Sequence, residues 1–177
     1  NVTKTVKSSG GDYTSLNAAL AGQSADLTAN CGGTGGAGIL TIECYAMQDT
    51  TAASTGTGYT TSSSYYINIT VPAAERHVGK WNGDKYNLIT TADSTPALTI
   101  AENYTRCLGL QLSQNGGYNT RQCLKVNNLT GIIIDTCILK VGGTGGASSE
   151  SFSTSCTATY SVVVVNTIAI NPLHTGF

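Results

Sequence analysis

Between Pro96 and Asn171 the chain repeats itself. Three apolar runs, Ala97-Leu-Thr-Ile100, Cys123-Leu-Lys-Val126 and Ser161-Val-Val-Val-Val165, are each followed by an Asn-bearing turn at Asn103, Asn127/Asn128 and Asn166. A second apolar run comes after each turn: Cys107 to Leu112, Ile132 to Val141, and Thr167 to Ile170. Ala97 to Cys123 is a step of 26 residues and the next step is 38, with the excess in the Gly/Ser/Thr-rich segment from Gly142 to Thr159. A strand–turn–strand unit of constant size, with its length variation confined to one loop, specifies a solenoid. No run has the length or the 3.6-residue spacing of an amphipathic helix. The reading is an all-β parallel β-helix whose coils stack about 4.8 Å apart.

This repeat pattern, over roughly Ile39 to Asn171, resembles the right-handed parallel β-helix proteins of the pectate-lyase-like group. The opening Gly10-Gly-Asp-Tyr-Thr-Ser-Leu-Asn-Ala-Ala-Leu20 is similar to the start of members such as the pectin esterases, where a short helix covers the first coil. In that helix Leu16, Ala19 and Leu20 share one face, and Asp12 or Thr14 is placed to cap it. The resemblance implies a fold and leaves activity open, because the group spans lyases, hydrolases, esterases, phage tailspikes and non-catalytic surface proteins. The domain reading is an N-terminal arm over residues 1–9, with Val2 and Val6 as its apolar positions, followed by one β-helix over 10–177. The arm is either an edge strand or a segment that reaches a neighbouring molecule.

Only 11% of the 177 residues are charged and the formal net charge is −1, which lacks the basic face of a nucleic-acid binder. No apolar run approaches the roughly 20 residues that a membrane helix needs. Abundant Gly, Ser and Thr with scarce Lys and Glu suit an extracellular β-protein, so the expected location is outside the cell or on its surface. Six cysteines permit 15 pairings. Cys31 with Cys44 and Cys123 with Cys156 are plausible bridges. Cys107 and Cys137, on second runs, are either a further bridge or buried thiols acting as small hydrophobes. A zinc site is not expected, since no CxxC pair occurs and there are two histidines.

Four sequons, at Asn1, Asn68, Asn103 and Asn128, are candidate glycan acceptors. Asn103 and Asn128 fall on what read as equivalent turns, where a stacked Asn ladder is the competing explanation. The stretch Ala73–Tyr86 is neither coil nor filler. It holds the only Trp, one of the two His, and Glu75, Arg76, Lys80, Asp84 and Lys85. As a sugar-binding patch, Trp81 and Tyr86 would stack while Arg76, His77 and Asp84 bond to hydroxyls. As a pinned loop, Trp81 would pack on the coils and Glu75 would pair with Arg76 or Lys80.

The ten acidic residues are scattered, without the paired or clustered carboxylates that hydrolases need. Asp135 is the sole carboxylate in the repeat strands after Pro96, placed to neighbour Arg106. No cofactor is implied. The chain is therefore expected to be a non-enzymatic, secreted structural subunit that assembles with copies of itself into a filament, appendage or surface layer. The apolar stretch around Val163, Val165, Ile168 and Ile170 and the arm would make the contacts. A carbohydrate-binding or carbohydrate-active module is the alternative, and a fragment of a larger adhesin or phage tail protein the third reading.

Overall fold

A computed structural model describes residues 1–56, 58–116, 121–126, 128–142, 149–154 and 161–170. They form three sheets in which every pairing is parallel. Sheet A stacks β1 (Val2–Val6), β2 (Leu40–Cys44), β5 (Ile67–Thr70), β8 (Thr105–Leu108), β11 (Ile132–Asp135) and β14 (Val162–Val165). Sheet B stacks β3 (Gln48–Asp49), β6 (Asn87–Thr90), β9 (Gln111–Gln114), β12 (Ile138–Val141) and β15 (Ile168–Ile170). Sheet C stacks β4 (Ala53–Ser54), β7 (Leu98–Ile100), β10 (Arg121–Val126) and β13 (Ser149–Thr154). From β2 onward the chain visits A, B and C in unbroken rotation. One circuit takes 27 residues from Asn103 to Thr130 and 30 from Cys137 to Thr167.

Alternation along each strand separates inside from outside. In sheet A, Leu40, Ile67, Thr105 and Ile132 are level and buried, as are Ile42, Ile69, Cys107 and Ile134. Leu88, Leu112 and Leu139 supply the matching column of sheet B, and Leu98 and Leu124 that of sheet C. These columns meet in one apolar core.

The repeat is real but its phase differs from the sequence reading. Val162–Val165 lies above Ile132–Asp135 in sheet A, not above Cys123–Val126. The strand above β10 is β13, inside the segment read as an inserted loop. Its sequence, Ser-Glu-Ser-Phe-Ser-Thr, hides it: Ser151 faces inward and satisfies its hydroxyl on the carbonyl of Ile170 at 3.3 Å. Each long second run is two strands joined by a corner. Gly109 (φ 75°) and Thr136 (φ 53°) turn the chain from sheet A to sheet B, and Asn166 (φ 48°) repeats the turn one circuit on. A left-handed residue at each corner lets the next strand start on a new face, and glycine takes that conformation without steric cost.

The capping helix α1 (Leu16–Gly22) forms as expected, with Leu16, Ala19 and Leu20 fully buried. Its cap is Ser15, whose hydroxyl accepts the Ala18 N–H at 3.2 Å; neither Asp12 nor Thr14 has that role. Asp12 instead turns back on β1 and accepts the N–H and the hydroxyl of Thr5, both at 2.8 Å. The first nine residues are not a free arm. β1 is the first strand of sheet A, in register with β2 from Val2–Leu40 to Val6–Cys44, and Val6 is fully buried.

Candidate functional site

After β5, Pro72 begins a strap that passes the corner between sheets A and B, where Arg76 lies on Gly109. It runs along the outer side of sheet B, where Asn82 meets Gln111, before the chain re-enters at β6. Gln111 of β9 clamps it. Its side-chain oxygen accepts the Asn82 N–H at 2.7 Å, and its amide donates to the carbonyls of Asn82 (2.9 Å) and Tyr86 (3.1 Å). An outward Gln on a strand is thereby fully buried, with its polar atoms satisfied as burial requires.

The five residues expected to bind sugar are distributed along this strap rather than gathered. Tyr86 is fully buried, with its hydroxyl 3.3 Å from the Asp49 carboxylate, so it offers no stacking face. Arg76 donates to the Val71 carbonyl at 2.7 Å and to the Thr70 hydroxyl at 3.4 Å, and its methylenes lie against Gly109. His77 is buried, and its Nδ1 accepts the Gly79 N–H at 3.2 Å. Burial pushes the imidazole below its usual range, Arg76 adding to the effect, while the Thr136 backbone opposes it. Trp81 is half-buried with the Lys140 ammonium 5.4 Å from its ring centre. Asp84 alone is exposed, in a turn where Asn82 accepts its N–H at 2.8 Å. Glu75 pairs with Lys85 at 3.7 Å, not with Arg76 or Lys80. The segment is held along its length by Gln111 and by the Glu75–Lys85 pair, not by the Glu75 pairing expected of a pinned loop.

The cysteines also depart from expectation. Cys31, Cys44, Cys107, Cys123 and Cys137 are all free and buried, so neither Cys31–Cys44 nor a Cys107–Cys137 bridge forms. Cys156 lies outside the described residues. Burial pushes the thiols of Cys123 and Cys137 up to about 12, which makes them packing groups rather than nucleophiles. Among the sequons, Asn128 is exposed with φ 50°, and Asn1 is exposed with its oxygen accepting the Ile39 N–H. Asn103 is level with Thr130 rather than with Asn128, and it accepts the Thr130 N–H at 2.9 Å. The link up the stack is thus Asn to backbone, not an Asn ladder. Asn68 sits mid-strand on the outer face of sheet A.

The apolar positions of the last strands stand out. Val163 (49% exposed), Val165 (40%), Ile168 (39%) and Ile170 (36%) account for most of the large exposed hydrophobic residues described. Among the described residues β13, β14 and β15 have a strand neighbour on one side only. The opposite end is sealed by α1 and by Asp12 on the Thr5 N–H. Val2 and Val6 belong to that sealed end. Among the described residues no group of three His, Cys, Asp or Glu side chains is placed to hold a metal, and no helix is long and apolar enough to cross a membrane.

No protein-family profile matches the chain, and comparison with curated proteins and with solved structures gives no match.

Proposed function

We propose that the chain is a right-handed parallel β-helix of pectate-lyase-like architecture and a non-enzymatic, secreted structural subunit that associates with copies of itself. The observation that supports this is the concentration of exposed Val and Ile on β14 and β15 at one end, opposite a sealed one. Neither strand carries a charge, so two copies of this edge meet without like-charge repulsion. Covering four such side chains contributes on the order of 3 kcal/mol. Association costs about 4 kcal/mol or more. Apolar contact alone therefore does not hold the joint, and backbone pairing along the β14 and β15 edges supplies the rest.

The route differs from one through the N-terminal segment, which is already committed to sheet A. A joint between two like ends is isologous and closes on two copies. Growth into a filament, appendage or surface layer then needs a second contact on the weakly charged flanks. The composition supports secretion; the free thiols are neutral on it. A carbohydrate module with its site on the strap is the weaker reading, given the burial of His77 and Tyr86.

Light scattering on the purified chain tests the proposal. The expected particle has at least twice the 18.2 kDa chain mass, and the Val163→Lys/Ile168→Lys variant is monomeric with an unchanged circular dichroism spectrum. A wild-type monomer up to millimolar concentration overturns it.

A further inference from the structure

The exposed valines of β14 are the top of two outward columns that descend the face of sheet A. Asn68, Arg106, Ile133 and Val163 form one column, and Thr70, Leu108, Asp135 and Val165 form the other. Below the valines, Tyr66, Asn68, Arg106, Leu108, Ile133 and Asp135 line a shallow groove of about 330 Å³. Arg106 lies over the Tyr66 ring, its guanidinium carbon 3.7 Å from the ring centre, and it donates to the Tyr66 hydroxyl at 3.0 Å. Asp135 has its own tethers: one carboxylate oxygen accepts the Thr136 hydroxyl at 2.8 Å and the Asn166 amide at 3.0 Å.

These two opposite charges share one face without pairing; the ion pairs among the described residues are Lys4–Asp12 and Glu75–Lys85. Arg106 is level with Ile133, and Asp135 is two residues further along the same strand. Strand geometry sets their backbones about 8 Å apart on one diagonal, and Leu108 and Ile133 occupy the other. Such a face is complementary to itself. Consider a two-fold axis that lies in the face, close to the Leu108–Ile133 diagonal. A second copy turned over about it sets its Arg106 over Asp135 and its Asp135 over Arg106, while Leu108 meets Leu108 and Ile133 meets Ile133. Val163 continues the same line. Reciprocity of this kind is what an isologous contact requires, and here it places no like charges together.

We propose that this face is a second self-association surface, occupied by another copy of the chain and held by reciprocal Arg106–Asp135 pairs around an apolar strip of Leu108, Ile133 and Val163. In taking a copy as the occupant it rests on the self-association reading, and it supplies the flank contact that growth beyond two copies needs. The end joint uses the backbone edges of β14 and β15, whereas this one uses side chains that point out from sheet A. Their two-fold axes therefore differ. Alternating two such joints gives every copy two neighbours, and the series runs on as a filament or closes as a ring.

Analytical ultracentrifugation of the full chain from micromolar to millimolar concentration tests the assignment. Ile168→Lys/Ile170→Lys breaks the end joint and spares this face, so that variant is expected to be a dimer; Val163→Lys touches both joints and does not separate them. In the Ile168→Lys/Ile170→Lys background, Arg106→Glu and Asp135→Lys each weaken the dimer about a hundredfold or more, because like charges now face each other. Mixed in equal amounts, these two variants form a heterodimer, since every charge again meets its opposite. Mixing does not repair a misfolded chain, so this rescue separates the contact from a folding defect. A monomeric Ile168→Lys/Ile170→Lys chain, or a mixture that sediments no faster than its components, overturns the flank contact and leaves the end joint standing. A particle that Ile168→Lys/Ile170→Lys does not shrink but Arg106→Glu does keeps the flank contact and removes the end joint. A wild-type monomer overturns both.

Discussion

Asp49 shows how one side chain holds this fold. Its carboxylate is almost fully buried, and it accepts the Leu16 N–H at 2.7 Å, the Thr51 N–H at 3.0 Å and the Tyr86 hydroxyl at 3.3 Å. It ties α1, the turn after β3 and the end of the strap to one point. Asp49→Ala orphans two buried donors, and urea unfolding should show a loss of about 2–5 kcal/mol; Asp49→Asn, which keeps an acceptor, should lose less. His77 gives a pH dependence. Its folded-state pKa lies below the usual 6.5 because burial disfavours the imidazolium. Below about pH 6.5 the unfolded chain therefore binds more protons than the folded one, so stability is full above that pH and falls as the pH drops toward the folded-state value. Unfolding free energy measured between pH 7.5 and 5 should fall more steeply for wild type than for His77→Gln. Any further loss near pH 3 to 4 belongs in part to Asp12, whose pKa the Thr5 N–H and hydroxyl hold below 3.8. Residue chemistry alone misplaced Tyr86 and the thiol pairs. An aromatic ring or a sulfur reads the same in sequence whether it faces the core or the solvent.

At the scale of elements, corners matter more than strands. Gly109 needs its left-handed φ of 75°, and a Cβ there would meet the Arg76 side chain at 2.8 Å. Gly109→Ala therefore combines backbone strain with displacement of the strap, and a loss of about 2 kcal/mol or more is expected in thermal or urea melts. Thr136 and Asn166, at the equivalent corners, accept the conformation and donate to Asp135 in exchange. The apolar strands and the helix face at Leu16, Ala19 and Leu20 were legible from pattern. β13 was not, because its pairing rests on stacking above β10 and its sequence is Ser- and Thr-rich. The corners were also hidden, since the left-handed residue is a Gly, a Thr and an Asn in turn, with no common chemistry to read.

For the whole molecule, sealing one end constrains everything else. Deleting residues 1–9 removes β1, exposes the lower edge of β2 and uncovers the core beside Val6. The expected product is a destabilised or aggregating chain, seen as early loss of hydrogen-exchange protection in β2, rather than a well-folded monomer. The groove of sheet A illustrates the limit of sequence reading at this scale: Tyr66, Arg106 and Asp135 become neighbours only through the register of stacked circuits.

The buried thiols turn that stack into a ruler. Cys31 and Cys44 lie near its lower end, and Cys107, Cys123 and Cys137 sit progressively higher. Each is shut away from solvent, so a thiol-reactive label reaches it only when its own level opens. Because the strands of each parallel sheet pair in this same order, the sequence in which the five sulfurs react reports which end opens first. The molecule thus carries its own clock of disassembly.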